Sequence, residues 1–201
     1  MRRISPIVVK RKIVRNLNKV PQRVKTEALR RFNRAKKELL SEFESHPITK
    51  EIEGGAGGSN ISGALGGVGN LFSFIGFQEG TNPIATLREM LNSFEMNVTN
   101  PIIIKRQTGV DFKFRVTGPT IEEIEAATYL AWMGKSWVRG IEKGMSGLGN
   151  YLAVMGAIGS RSGGGLQAQR IRGGAYRPTK YMSSLLRTFL LRFNQGPKAL
   201  S

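Results

Sequence analysis

The chain contains no cysteine and only one histidine, His46. Without thiols it has no disulfide framework, no thiolate metal site and no cysteine nucleophile, and a lone imidazole does not build a usual zinc site. Acidic residues are scarce as well: 14 Asp and Glu stand against 31 Lys and Arg, a formal charge of +17 over 201 residues. An excess of this size is extreme for an enzyme and directs attention to nucleic acid, acidic surfaces or a large assembly. Long apolar runs are missing too. None approaches the roughly 20 residues that cross a bilayer, and Met1-Arg2-Arg3 is not followed by an apolar core with a small-residue cleavage site. A soluble protein made in a cytoplasm, with no membrane partner, is expected, and its length suits one ordinary domain.

The positive charge is concentrated at the two ends. Residues 1–50 carry 15 Lys and Arg against 4 Glu, residues 51–134 carry 5 against 9 acids, and residues 135–201 carry 11 against 1. Residues 1–19 are basic, with scattered Ile and Val, and predict an arm or an edge strand over Ile7-Val8-Val9. Beyond Pro21, the residues Val24, Ala28, Phe32, Ala35, Leu39 and Phe43 recur at spacings of 4, 4, 3, 4 and 4. That is the apolar stripe of a helix of about six turns. Pro21 suits its first turn and Pro47 stops it. Arg23, Lys25, Arg30, Arg31, Arg34, Lys36 and Lys37 make its other face.

Ten glycines fall between residues 54 and 80, a composition usual in flexible loops. Yet Ile61, Leu65, Val68, Leu71, Phe72, Phe74, Ile75 and Phe77 lie among them, more apolar groups than a linker needs. An ordered, tightly turning segment is expected, with a short strand over Leu71 to Phe77. Asn82-Pro83 reads as a cap followed by proline in a first helical turn, with Ile84, Leu87, Leu91 and Phe94 facing inward. Pro101 to Lys105 and Asp111 to Thr117 are strand candidates joined by a Gln107-Thr108-Gly109 turn. In the second, Phe112, Phe114 and Val116 alternate with Asp111, Lys113 and Arg115. Thr120 with Glu123 forms a capping box for a helix to about Tyr129. Met182, Leu185, Leu186, Phe189, Leu190 and Phe193 mark a last amphipathic helix.

These elements predict an α+β fold: a long N-terminal helix packed on a small antiparallel sheet, with additional short helices and extended basic tails. Residues 1–19 form the arm and 20–158 the core domain with its glycine-rich loop 54–80. Residues 159–201 hold a basic Gly/Arg segment and the final helix.

Motifs that resemble catalytic or cofactor sites fail on their context. Gly134-Lys135-Ser136 ends like a phosphate loop, but Tyr129 stands where that loop needs glycine, and a helix precedes it instead of a buried strand. Gly63 to Gly69 neither follows a hydrophobic strand nor opens a clear helix, as a dinucleotide fingerprint would. Close packing of this glycine-rich stretch against a neighbouring subunit is the favoured reading. His46, before a proline at a helix end, reads as a cap on the helix dipole. Glu122, Glu123 and Glu125 are a carboxylate cluster of the kind acid–base chemistry uses. Their place in the first turns of a helix accounts for them without chemistry. The basic helix face suits phosphates or an acidic protein surface equally. Arg161, Arg170, Arg172 and Arg177, set among glycines, suit an arm that orders on a partner.

Several stretches resemble neck or tail-completion proteins of marine tailed phages. They are His46-Pro47-Ile48-Thr49-Lys50-Glu51-Ile52, Ser59-Asn60-Ile61-Ser62-Gly63-Ala64-Leu65-Gly66-Gly67 and Asn70-Leu71-Phe72-Ser73-Phe74-Ile75-Gly76-Phe77, then Ala131-Trp132-Met133-Gly134-Lys135-Ser136-Trp137, Gly140-Ile141-Glu142-Lys143-Gly144 and Tyr181-Met182-Ser183-Ser184. The resemblance implies a non-enzymatic virion protein of the head–tail connector: a tail-completion ring, tail terminator or adaptor of six or twelve copies. It implies no catalytic residue, cofactor or metal. Other neck, portal-adaptor or tail proteins would be its partners, with non-specific contact to DNA. Within that reading Leu65, Leu71, Phe72, Phe74, Phe77, Trp132 and Trp137 are candidate subunit contacts. Arg23, Arg30, Arg31, Arg34, Lys37, Arg161, Arg170 and Arg172 are candidates to face DNA or another partner. The reading from a different class is a free-standing basic protein that binds RNA or coats a nucleoid.

Overall fold

The structure, a computed structural model, describes residues 22–65, 70–106, 109–131, 134–144 and 178–194, together with the short strands 7–11, 153–155 and 164–166. Trp132, Arg161, Arg170, Arg172 and Arg177 lie outside the described residues, as do Gln107 and Thr108. The fold is α+β, with a long N-terminal helix and a three-stranded antiparallel sheet. The chain divides into two compact units. Residues 1–41, 90–120 and 185–201 form the first, and residues 42–89 and 121–184 the second.

Helix α1, Gln22–Ser45, supplies residues to both units, and all six members of its predicted stripe are buried. It ends because Pro47 disfavours helical geometry at the residue before it. His46 is extended, at φ −63° and ψ 133°. That geometry makes His46 the N-cap of the next helix, α2 (Pro47–Glu53), and its Nδ1 accepts a hydrogen bond from the Ile48 N–H at 3.2 Å. The expectation that His46 caps the end of the first helix is therefore corrected. A ring nitrogen with a free lone pair satisfies an orphan donor at a helix start, whereas a helix end offers acceptors.

In the first unit the sheet runs in the order β1-β3-β2, from β1 (Ile7–Arg11), β2 (Glu95–Arg106) and β3 (Gly109–Thr117). Val24 and Ala28 of α1 pack on Phe112 and Phe114 of β3, with Met96, Val98 and Ile103 around them. β2 begins at Glu95, well before the predicted start at Pro101. Its pairing slips between Asn97 and Ile102, and an irregularity on an edge strand accommodates a proline that has no N–H to donate. The predicted alternation of β3 holds for Phe112, Phe114 and Val116, but Asp111 is buried too. It sits in the central strand, opposite Lys10 of β1 and Ile104 of β2. Helix α7 (Met182–Asn194) adds Leu185, Phe189 and Phe193 to the core. Phe32 meets Phe189 and Phe193 edge-on at 6.2 and 5.9 Å, and Phe94 meets Phe189 at 4.9 Å. At Gly118 a Cβ would lie 2.2 Å from the Phe94 ring, so only glycine fits there.

In the second unit α2 is followed by α3 (Leu71–Ile75), and the chain then enters α4 (Pro83–Asn92). Ile84 and Leu87 of α4 are buried as predicted, and Asn82 Oδ1 accepts from the Ala85 N–H. The expected strand over Leu71 to Phe77 is a helical turn instead. Asn70 caps its start, its side chain accepting from the Ser73 N–H at 2.9 Å, and Gly76 ends it in the left-handed region at φ 83°. A cap at one end and a left-handed glycine at the other outweigh the strand preference of the aromatic residues between. Helix α5 (Ile121–Ala127) stops short of Tyr129, which pairs with Ser136 in the small β4–β5 hairpin (Tyr129–Leu130, Lys135–Ser136). Helix α6 (Trp137–Lys143) follows, and β6 (Ala153–Met155) pairs with β7 (Gly164–Leu166). Nothing in the residue pattern predicted this last pair. The Glu142 carboxylate accepts from the N–H groups of Tyr181 and Ser183, at 3.3 and 2.6 Å, and so caps α7 from outside the helix.

Candidate interaction surfaces

Residues 54–65 fold as a tight loop held by two side chains. Glu51 on α2 is buried, and its carboxylate accepts from the Ser62 and Leu71 N–H groups, both at 2.8 Å. Asn70 Nδ2 donates to the carbonyls of Gly55, Ala56 and Gly58 at 3.2, 2.7 and 3.0 Å. One glutamate and one asparagine thus hydrogen-bond five backbone groups of the loop and the helix after it, where polar backbone against a core needs partners. The glycines make the path possible. Gly55 and Gly63 take φ of 67° and 65°, and at Gly58 a Cβ would lie 3.1 Å from the Glu51 carbonyl oxygen. The loop presents Ile61, 55% exposed, while Leu65 is half-buried.

Over residues 54–65 and 70–80 the expected tightly turning segment matches the structure, Gly66 to Gly69 lying outside the described residues, but its greasy residues point elsewhere. Leu71, Phe72, Phe74 and Phe77 are buried in the chain's own core, as is Trp137, whose ring meets Phe77 edge-on at 5.7 Å. As candidate subunit contacts these five are corrected. Apolar side chains in a capped turn close their own unit first, and a neighbour is left with Ile61 and the loop backbone.

The basic face of α1 is similarly sorted. Arg31 is largely covered, 20% exposed, and donates to Glu27 at 2.8 Å. Arg30, 66% exposed, also donates to Glu27, and Arg34, 76% exposed, donates to Glu38 at 2.9 Å. Two guanidiniums, Arg30 before Arg31, hold the Glu27 carboxyl down at about 2, and Glu27 in turn pushes Arg30 upward. Glu38 also lies 3.4 Å from Arg192 of α7. Lys36 turns away from this face and donates to the carbonyls of Asn92 and Phe94, at 2.6 and 2.9 Å. A cation at the end of α4 satisfies acceptors that the helix leaves open. Arg23 and Lys37 are exposed.

Two further clusters have structural roles. Gly134 makes a left-handed turn at φ 63°, Lys135 is half-buried in β5, and Ser136 caps α6 by accepting from the Arg139 N–H. Glu125 lies 3.7 Å from Arg139 and 3.9 Å from Lys143, both on α6. Around Tyr181, the phenol shares a 2.7 Å hydrogen bond with Thr49 and the ring lies 4.8 Å from His46. Burial pushes the Tyr181 hydroxyl up and His46 down. Nearby, Arg88 bridges Glu44 and Glu53 at 2.6 and 2.8 Å. Arg88 lowers the Glu44 carboxyl and is itself raised by Glu44 and then Glu53.

Sequence reasoning missed Glu51, Asn70, Lys36 and Glu142. Only Asn70 left a local sign: an asparagine directly before a short apolar run that closes on glycine is a capped turn. Among the described residues no group of three or more His, Asp or Glu is placed to hold a metal ion, and no helix is long and apolar enough to cross a membrane. Comparison with known protein families, with characterised proteins and with solved structures finds no match to this chain.

Proposed function

We propose that this chain is a non-catalytic structural protein of a tailed-phage virion, forming a ring of six or twelve copies in the neck between head and tail. The phrase-level resemblance points there, and one structural observation carries the reading: the glycine-rich loop is pinned from beneath by Glu51 and Asn70. Buried polar side chains that immobilise a surface nearly free of side chains suit close backbone approach by a second subunit. Ile61, at 55% exposure, then enters the neighbour as an apolar anchor. The other neck, portal-adaptor or tail proteins stack on the ring above and below.

The test is the mass of the purified protein in solution across a range of concentrations, without nucleic acid. Six or twelve times the chain mass is expected. Ile61→Asp, at an exposed position, should give a monomer with an unchanged circular dichroism spectrum. A wild-type monomer at every concentration, gaining mass only when DNA is added, would sink the reading in favour of a free-standing nucleic-acid-binding protein. Labelled particles viewed by electron microscopy should carry the protein at the head–tail joint.

A further inference from the structure

We infer that the outer face of α1 is a sequence-blind contact for the phosphate backbone of duplex nucleic acid. The inference holds for a single copy and does not depend on the ring.

Of the seven cations on α1, the structure leaves four on its outer face: Arg23, Arg30, Arg34 and Lys37. At 100° per residue they fall within about 60° of arc, opposite the buried stripe, and at 1.5 Å per residue they form a straight row about 21 Å long. Thr26, Asn33 and Ser41 lie on the same side and are exposed. They are hydroxyl and amide donors of the kind that contact phosphate oxygens. Glu27, Glu38 and Glu42 stand on one flank of the row, and Glu44, past its end on the other flank, is held by Arg88. Glu27 and Glu38 bind Arg30 through Nε and Nη2 and Arg34 through Nε, so guanidinium N–H groups remain for a ligand. Ion pairs as exposed as these are worth little, and exchanging a carboxylate for a phosphate costs little.

The composition of the face selects among polyanions. A protein partner needs an apolar or aromatic anchor at the centre of its interface, and charged groups are depleted there. This row has no such anchor, since Leu29, the exposed aliphatic residue of α1, lies well round the helix from it. Single strands are held largely by stacking on aromatic rings, and no aromatic residue is exposed on α1. A row of cations with hydrogen-bond donors beside it matches what a duplex backbone offers.

The experiment measures binding of the full chain to a random-sequence DNA duplex as a function of salt. The stripe variant replaces Arg23, Arg30, Arg34 and Lys37 with Gln. The control replaces four other exposed cations, Lys50, Arg115, Lys180 and Arg187, with Gln, so both variants carry the same net charge. Each phosphate that the protein no longer neutralises should flatten the plot of log affinity against log salt by about 0.9. The stripe variant should be shallower than wild type by about 2 to 4, and the control by less than about 1. An RNA duplex should show the same flattening, because both ligands offer phosphates. Equal slopes for stripe and control would overturn the inference. So would tight, stripe-dependent binding of poly-glutamate that matches the duplex, since it would assign the face to acidic protein. Circular dichroism checks that both variants keep their helices, which Arg→Gln at exposed helical sites favours.

Discussion

The glycine-rich loop and the outer face of α1 are both polar surfaces of one chain, yet their charged groups act in opposite ways. In the loop region Glu51 is buried, and each of its oxygens accepts from a backbone N–H. On α1, Glu27 sits at the surface and its partners are the side chains of Arg30 and Arg31. The first arrangement makes structure, because a buried acceptor removed from its donors leaves them without water to replace it. The second makes a surface, because water competes for every pair and the charges stay exchangeable. A basic composition alone does not distinguish them; burial does.

The sharpest way to break this contrast is Glu51→Ala. It strands the Ser62 and Leu71 donors, and stability should fall by about 3 kcal/mol, read as a lower urea midpoint. A loss under about 1 kcal/mol would mean that the loop does not depend on its buried carboxylate. Asn70→Ala should follow, at about 1–2 kcal/mol, because a cap and three carbonyl partners go together. Proteolysis within residues 54–65 should speed up in the same variant.

His46 offers a titration between these extremes. Its folded-state value lies below the ordinary 6.5 because burial disfavours the charged ring. A lowered value means the folded state prefers neutral His46, so its contribution is complete above 6.5 and is lost as pH falls through the lowered value. Protonation also removes the Nδ1 acceptor from the Ile48 N–H and places a cation at a helix start. The groups near this site are Tyr181 and the Glu44–Arg88–Glu53 bridge. Denaturation curves should show wild type losing stability on acidification relative to His46→Asn, which keeps a cap that does not titrate. Parallel pH profiles would remove His46 from this role.

The smallest effect belongs to the surface. Arg30→Gln with Arg34→Gln should change stability by no more than about 0.5 kcal/mol, within reach of careful thermal melts. A larger loss would mean that these arginines are structural and the contrast with Glu51 is false.

Much of the scaffold was legible because it repeats. The α1 stripe, the inward residues of α4, the alternation of Phe112, Phe114 and Val116, and the last helix all follow from a period of 3.6 or 2. Where one local cue competed with another, reading by period failed. Aromatic residues over 71–77 suggested a strand, while Asn70 and Gly76 imposed a turn. Pro101 suggested a strand start, while a register shift carried β2 back to Glu95. Five of the candidate contacts, Leu71, Phe72, Phe74, Phe77 and Trp137, are buried in their own unit for a different reason. Apolar residues in a glycine-rich stretch look the same on paper whether they face a neighbour or their own core.

By itself the sequence determined the α+β class, the long amphipathic helix, the hairpin pairing and the uneven charge, since each is a property of spacing or composition along the chain. Tertiary structure alone decided which charges are structural and which are available. Glu51 reaches Leu71, Lys36 reaches Asn92 and Glu142 reaches Ser183. Such pairings are made by folding distant segments together, and no local pattern encodes which polar group will lose its water.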